Sequence, residues 1–401
     1  MFKITSSNVI KTEVIVIGAG AAGLFCATEA GKRGRKVIVF DHAKRLGGKI
    51  LMSGGGRCNF TNMYTSPENF LSQNPHFCKS ALSQYTQWDF ISLVNEYGIK
   101  HHEKTLGQLF CDDSAKEIVD LLLAECKKAN VDIKNRTEII DIDYVENRYV
   151  VNTSQGTFSS ESLVIATGGL SMPKLGASPF GYRVAEQFGL PIIPTKAALV
   201  PFTLHEHDKA VIGELSGISV DASASCNNTS FNESILFTHR GLSGPAVLQV
   251  SSFWDPGQEI EFNLFPNGDL FQDLVEQQQL NPEIQLSTAL GRHYSKRFVQ
   301  AAIPYFELDN KPLKQYNEKQ LQIAAEAFTQ WQIKPNGTEG YRTAEVTLGG
   351  VDTDYISSKN MQVKGQEGLF FIGEVLDVTG WLGGYNFQWA WSSGWVAGQV
   401  A

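Results

Sequence analysis

The 401-residue sequence predicts an α/β fold, a doubly wound parallel sheet interrupted by a second domain. Three observations predict it. A glycine-rich turn joins a buried strand to a helix near the N-terminus. Further apolar strands end in small-residue turns in the middle of the chain and near its end. Between these, residues 195–342 lose the strand–helix alternation.

The first element is the run EVIVIGAGAAGLFCATEAGKRGRKVIVFD, residues 13–41. Its apolar, β-branched stretch 14–17 reads as a strand buried on both faces. Residues 21–33 are helix formers that stop near Gly34, and 37–40 form a second buried strand. The result is one βαβ unit. Further on, Ser114 to Glu117 match a capping box, with Ile118, Leu121 and Leu122 at helical spacing. Residues 131–165 read as successive strands. Ser178 and Pro179 open a helix that stops at Gly189.

After Pro191 and Pro194 the pattern changes to short polar–apolar alternations, as at 218–224, then a Gln-rich helical stretch. Apolar strands return near Glu345. We therefore expect one discontinuous domain, 1–194 plus 343–401. A β-rich domain, 195–342, is inserted in it, with a helical subdomain near 267–325. Residues 369–372 read as the last strand, and residues 383–386 open a helix running to about Val400.

Composition narrows the class. A hydrophobic content of 42% and a charged content of 19% allow a large core and exclude disorder. A net charge of −8 argues against nucleic acid as an obligate partner, since such proteins usually carry a basic face. The six cysteines form no C-x-x-C pair, so metal and dithiol readings are weak and free thiols are expected. The N-terminal segment lacks a signal-peptide pattern, and no stretch of about 18 apolar residues occurs. A cytoplasmic protein with no membrane partner is expected; oligomeric state is left open.

The motif at residues 18–23 carries the first chemistry. Gly18, Gly20 and Gly23, with Ala21 and Ala22 between, fit G-x-G-x-x-G between strand and helix. The first glycine allows the tight turn, the second lets backbone approach a pyrophosphate, and the third lets helix and strand pack closely. A helix N-terminus then meets the phosphate charge. Asp41 ends the second strand where a carboxylate can accept from ribose hydroxyls. This unit leaves NAD and FAD open. Two later features favour FAD. The strand 163–165 ends in Ala166-Thr167-Gly168-Gly169, similar to the second dinucleotide-contact turn of flavoproteins. The strand 369–372 ends in Gly373-Glu374, and a helix follows whose N-terminus can stabilise the negative charge of a reduced flavin. Asn386 and Phe387 are the candidates for backbone contact with the ring. Ala390, Gly394 and Ala397 let the helix lie close to the sheet, with Trp391 and Trp395 in the core.

Four further stretches complete a family pattern: GGKILMSGGGRCNFTN (47–62), LFTHRGLSGPAVLQ (236–249), EVTLGGV (345–351) and GEVLDVTGWLGGYNFQ (373–388). With them the whole chain resembles the BaiN/YhiN-type family of FAD-dependent oxidoreductases, with a glutathione-reductase-like FAD domain. The resemblance implies FAD contacts at Gly18, Gly20, Ala21, Ala22, Gly23, Asp41, His42, Arg45, Gly48 and Lys49. It extends them to Arg57, Cys58, Asn59, Thr61, Thr167, Gly168, Gly169, Gly373, Glu374, Asn386 and Phe387. It also implies an adenine contact through the backbone at Ile139. The run KNMQVKGQEGL (359–369) departs from the relatives' Thr-Met and Ser-Lys pattern.

Several residues allow two readings. Arg57 either contacts FAD or substrate through its guanidinium or closes its own loop with a salt bridge. Cys58 either touches the flavin or fills the core. Asn59 and Thr61 either turn the loop or donate to FAD. His239 and Arg240 either face the substrate or make a structural turn. His101 and His102 lack metal spacing. The expected activity is hydride transfer between flavin N5 and a small or hydrophobic organic molecule, with the inserted domain selecting that substrate. NADH or NADPH would be a transient electron donor visiting the same cleft. An amine oxidase producing hydrogen peroxide, an RNA-modifying flavoprotein and a non-catalytic flavin-binding protein are the alternatives.

Overall fold

A computed structural model describes residues 9–401. The chain divides into two compact units, residues 1–196 with 346–401, and residues 197–345.

The first unit is built on five parallel strands, β1 (Val14–Ile17), β2 (Val37–Phe40), β3 (Asp132–Lys134), β4 (Ser162–Ile165) and β5 (Leu369–Phe371). They lie in the order β5-β4-β1-β2-β3. Register is tight: Val14 pairs with Val37 on one side and Ser162 on the other. β1, β2, β4 and β5 are buried at every residue. This explains their unbroken apolar sequence, because helices and a second sheet cover the faces of a parallel sheet. The chain leaves β1 towards β2 and later returns to β1's other side as β4. That reversal is a topological switch point, where open α/β sheets bind ligands outside the carboxyl ends of their strands.

Helix α1 (Ala21–Lys32) packs on this sheet, and α2 (Lys116–Lys128) and α3 (Tyr385–Gly398) pack on α1. α3 packs on α1 through its glycines. A Cβ at Gly394 would stand 2.7 Å from the Ala22 carbonyl oxygen, and one at Gly398 would stand 2.8 Å from that of Cys26. The small residues of α3 thus serve a helix–helix contact, whereas the sequence placed them against the sheet. Trp391 is fully buried, stacks on Phe90 at 4.2 Å, and donates its indole N–H to the Phe60 carbonyl. Residues 359–369 fold back on themselves, with Met361 and Val363 in the core.

A small antiparallel sheet, His101–Glu103, Gln108–Cys111 and Asn59–Asn62, holds the segment after the glycine run. A four-stranded sheet contains Ile139–Val145, in which Ile139 pairs with Thr153 at a bulge.

The second unit carries a seven-stranded sheet whose paired strands run antiparallel, with Ser219–Cys226 and Thr229–Thr238 at its centre. Helices Leu270–Leu280, Lys296–Tyr305 and Glu318–Thr329 pack around an aromatic core that includes Phe237, Phe262, Phe298, Phe328 and Trp331.

Candidate functional site

The carboxyl ends of β1, β2, β4 and β5 bring four sequence-predicted turns together. Gly18, at φ 109°, donates its N–H to the Phe40 carbonyl. The three motif glycines differ in what surrounds them. A Cβ at Gly18 would lie 2.4 Å from the Ala166 oxygen, and one at Gly23 would lie 1.9 Å from the Gly18 oxygen. A Cβ at Gly20 would meet nothing within 4 Å. Two glycines therefore close the turn on itself, and the middle one opens onto free space.

Asp41 acts first on the protein. Its carboxylate accepts from the Ala19 N–H at 2.7 Å and the Ala43 N–H at 2.7 Å. It fixes the glycine turn to β2, and its remaining lone pairs are left for a ligand. The Asp41 carbonyl accepts from the Thr137 N–H, which brings the start of the Ile139 strand alongside. His42 and Arg45 are exposed, and the His42 ring lies against Gly176.

At β4 and β5 the polar side chains engage one another. Lys49 reaches out of the short helix Gly48–Met52 to Glu374 at 2.6 Å and to the Ser171 hydroxyl at 2.6 Å. Ser171 and the Thr347 N–H also donate to Glu374, each at 3.1 Å. The Thr347 hydroxyl accepts from the Leu170 and Ser171 N–H groups, under Gly169. Ser171 and Thr347 were not among the predicted residues. Their only sequence signal was position: Ser171 follows the Gly168-Gly169 turn, and Thr347 sits in EVTLGGV. The Thr167 hydroxyl is buried with no hydrogen-bond partner, at the edge of the same turn. A buried hydroxyl without a partner costs stability unless a ligand completes it.

The glycine run 53–56 forms a tight turn with Gly54, Gly55 and Gly56 at φ 56°, 66° and 88°. A Cβ at Gly54 would meet the Phe110 ring at 2.8 Å, while Gly55 and Gly56 face open space. Cys58 follows at φ 48° and is fully buried, and burial pushes its thiol pKa up. Thr61 is also fully buried, donating to Gln388 at 2.7 Å. Neither side chain has any exposed surface, which favours the core-filling reading of Cys58 and a loop-fixing role for Thr61. Asn59 lies beside Gln108 and the backbone of Gly384. Asn62, which was not predicted, donates to the Gly383 carbonyl at 2.9 Å. Arg57 is exposed, and its guanidinium has no ion pair among the described residues, so the loop-closing salt bridge is absent.

The N-terminus of α3 ends this cluster. Gly384 is its N-cap at φ 96° and offers no side-chain cap. The Asn386 side chain is occupied by Gly380 and Trp381, so it caps none of the N–H groups that the helix start leaves without an intrahelical partner. Gly373 and the Trp389 indole join through a hydrogen bond of 3.1 Å beneath it. His239 and Arg240 lie at the tip of a hairpin in the second unit. Arg240 pairs there with Glu339 at 3.3 Å, and the Thr238 hydroxyl holds the turn. His102 pairs with Asp112 at 2.6 Å.

A switch point lined by a glycine turn, with a helix N-terminus close by, defines the class: a Rossmann-type flavoprotein oxidoreductase. The chain belongs to the HI0933-like family of FAD-dependent oxidoreductases, whose Rossmann-domain model matches residues 12–400. It is 56% identical over 388 residues to a ribosomal RNA dihydrouridine synthase of Escherichia coli (strain K12), covering 96% of this chain and 97% of that one. It is 52% identical to a protein of the same name from Haemophilus influenzae, covering 95% and 96%. A 3-dehydro-bile acid delta(4,6)-reductase of Clostridium scindens is 26% identical, over 96% and 98%. A solved 3-ketosteroid-delta4-(5alpha)-dehydrogenase from Rhodococcus jostii RHA1 aligns over 98% of each chain with a TM-score of 0.50 and 13% identity, a likeness of fold alone. The two relatives, by their names, overturn the expectation of no obligate nucleic-acid partner and favour the RNA-modifying alternative. The physical error was to read a net charge of −8 as a surface. A total says nothing of local patches, and recognition of single-stranded RNA draws on stacking as well as charge. No described helix is long and apolar enough to cross a membrane.

Proposed function

We propose that this protein reduces uridine to dihydrouridine in ribosomal RNA, using FAD as its resident cofactor. The observation that carries this reading is identity at more than half of all positions with two ribosomal RNA dihydrouridine synthases, over almost the full length of both chains. The residues at the switch point fit FAD. Gly20 opens onto free space, the Thr167 hydroxyl is unpartnered, and the N-terminus of α3 is uncapped by any side chain. Gly18, Gly20, Ala21, Ala22 and Gly23 would hold the pyrophosphate, with Asp41 towards the ribose. Thr167, Gly168, Glu374 and the backbone of Asn386 and Phe387 would hold the flavin half.

Reduced FAD, when bound, would supply the hydride for C6 of the C5=C6 bond of uracil, which the C4 carbonyl polarises, and a proton would be added at C5. The chain's own contribution is positional and electrostatic. The N-terminus of α3 presents roughly half a positive charge where negative charge gathers on reduction. Glu374 already accepts from Lys49, Ser171 and the Thr347 N–H, so it orients neighbouring groups and does not serve as a free base. Electrons come from NADH or NADPH by transient binding, a reading supported by the single complete G-x-G-x-x-G unit in the sequence. The bile acid reductase relative supports reduction over oxidase chemistry.

The test uses ribosomal RNA from a strain lacking the activity, incubated anaerobically with FAD-loaded protein and NADH or NADPH. Dihydrouridine is then measured by nucleoside mass spectrometry. Formation that depends on the donor is the expected result. A flavin that bleaches with a donor, yet leaves every uridine of that RNA unreduced, sinks the reading.

A further inference from the structure

The tip of the small antiparallel sheet carries side chains that folding does not use. Tyr64 is 65% exposed, with its ring resting on Gly107, where a Cβ would come within 2.6 Å of the ring. Leu106 is 56% exposed at φ 50°, a left-handed conformation that a branched apolar residue adopts only at a cost. Lys104 is exposed, with its ammonium 5.5 Å from the centroid of the Phe110 ring and no carboxylate within ion-pair distance among the described residues. Arg57 stands at the other end of the same strand, where its carbonyl accepts from the Cys111 N–H. Its guanidinium is equally uncommitted.

Of the neighbouring carboxylates, Glu103 accepts from the Gly107 N–H at 2.9 Å, Asp112 meets His102 at 2.6 Å, and Asp113 is exposed. None of them lies within ion-pair distance of Lys104 or Arg57, so each cation can meet a phosphate of its own. Lys104 lies in the turn with Leu106 at the tip, whereas Gln108–Cys111 separates Arg57 from it by roughly 13 Å at about 3.3 Å per residue. The strand also abuts the turn that starts α3: a Cβ at Gly383 would lie 3.0 Å from the Gln108 side chain. An exposed aromatic ring beside unpaired cations is how sequence-tolerant sites grip single strands.

We propose that this sheet tip is the docking surface for a single-stranded segment of the RNA substrate, flanking the uridine that is reduced. Tyr64 stacks a base, Leu106 supports it, and Lys104 and Arg57 meet phosphates. The inference rests on the RNA reading above and adds the surface to it.

The full-length, FAD-loaded protein is tested with a fluorescein-labelled oligouridylate by anisotropy at several salt concentrations, and with the ribosomal RNA assay already described. Tyr64→Ala and Lys104→Glu are compared with Lys127→Glu, an exposed charge reversal on α2. FAD content and unfolding temperature verify that each variant folds. Tyr64→Ala is expected to bind about 5- to 100-fold more weakly. Lys104→Glu is expected to weaken binding and lower the log–log salt slope by about one. Lys127→Glu is expected to bind as the parent does. If the parent forms dihydrouridine while both tip variants bind and react like it, the surface is wrong and the activity stands. If Lys127→Glu falls as far as Lys104→Glu, net charge explains the effect and the surface is again wrong. A parent that neither binds nor reduces RNA overturns both. Loss of a dimer in Tyr64→Ala with RNA binding intact would assign the tip to a second copy of the chain and overturn the RNA proposal.

Discussion

The two glycine runs of the first unit look alike in sequence and differ in what they do. Residues 18–23 lie inside one βαβ unit, where Gly18 and Gly23 are forced by contacts within that unit and with β4. Residues 54–56 are all left-handed, but only Gly54 is crowded, by the Phe110 ring far along the chain and by the Asn59 backbone nitrogen. Glycine is required in the first run mostly by space, and in the second mostly by backbone conformation. The distinction teaches that a glycine pattern shows where backbone is special without showing why.

Gly23→Ala should produce the largest effect of the set. A Cβ 1.9 Å from the Gly18 oxygen, with the Ala166 methyl at 3.1 Å, cannot relax cheaply, so a loss of about 3 kcal/mol is expected in denaturant unfolding. Gly20→Ala sharpens the contrast. With open space beside it, the apoprotein should keep its stability while FAD affinity falls by roughly tenfold, about 1.4 kcal/mol, in a flavin-release titration. Equal damage to apoprotein stability in both variants would break the division of labour among these glycines.

Glu125 supplies the pH arm, since it ties α1 to α2 behind the first run. Burial alone would raise its carboxyl pKa, but hydrogen bonds from Tyr97, Lys128 and Lys32 outweigh this and hold it at about 2, below its ordinary value of 4.5. A depressed carboxyl pKa contributes stability that is whole above the ordinary value and lost as pH falls from there towards about 2. Because both lysines are largely exposed, the contribution is about 1–3 kcal/mol. Urea unfolding of Glu125→Gln should therefore show a flatter acid limb than the parent.

In the second run, Gly54→Ala should cost about 2 kcal/mol, since ring contact adds to the left-handed strain. Gly55→Ala, strained but uncrowded, should cost about 1 kcal/mol. Identical unfolding midpoints for the two would show that Phe110 gives way. The smallest effect belongs to Arg57→Ala, within about 0.5 kcal/mol of the parent, because its side chain has no ion pair to lose.

How much of this was legible follows from distance along the chain. The βαβ unit could be read because its periodicity, turn and helix start lie within thirty or so residues and obey local rules. The motifs 47–62 and 373–388 marked the right stretches. They did not show that Thr61 meets Gln388 across 327 residues, or that Asn62 meets Gly383 across 321. Thr61 follows a glycine run in sequence, whereas in space it meets Gln388 of a helix from the other end of the chain. An RNA-modifying flavoprotein stood only as an alternative, because a summed charge gives no map of the surface.

The sequence by itself determined the parallel sheet, its glycine turn and the family, since strand burial, helix start and tight turn each follow from neighbours a few bonds away. Only the tertiary structure decided which glycine is closed and which is open, and that Glu374 is already held by Lys49, Ser171 and Thr347. It also decided that Arg57, Lys104 and Tyr64 share one sheet while their charges and ring remain unused. Those outcomes depend on which remote segments come into contact, and contacts across hundreds of residues are set by the packing of the whole core.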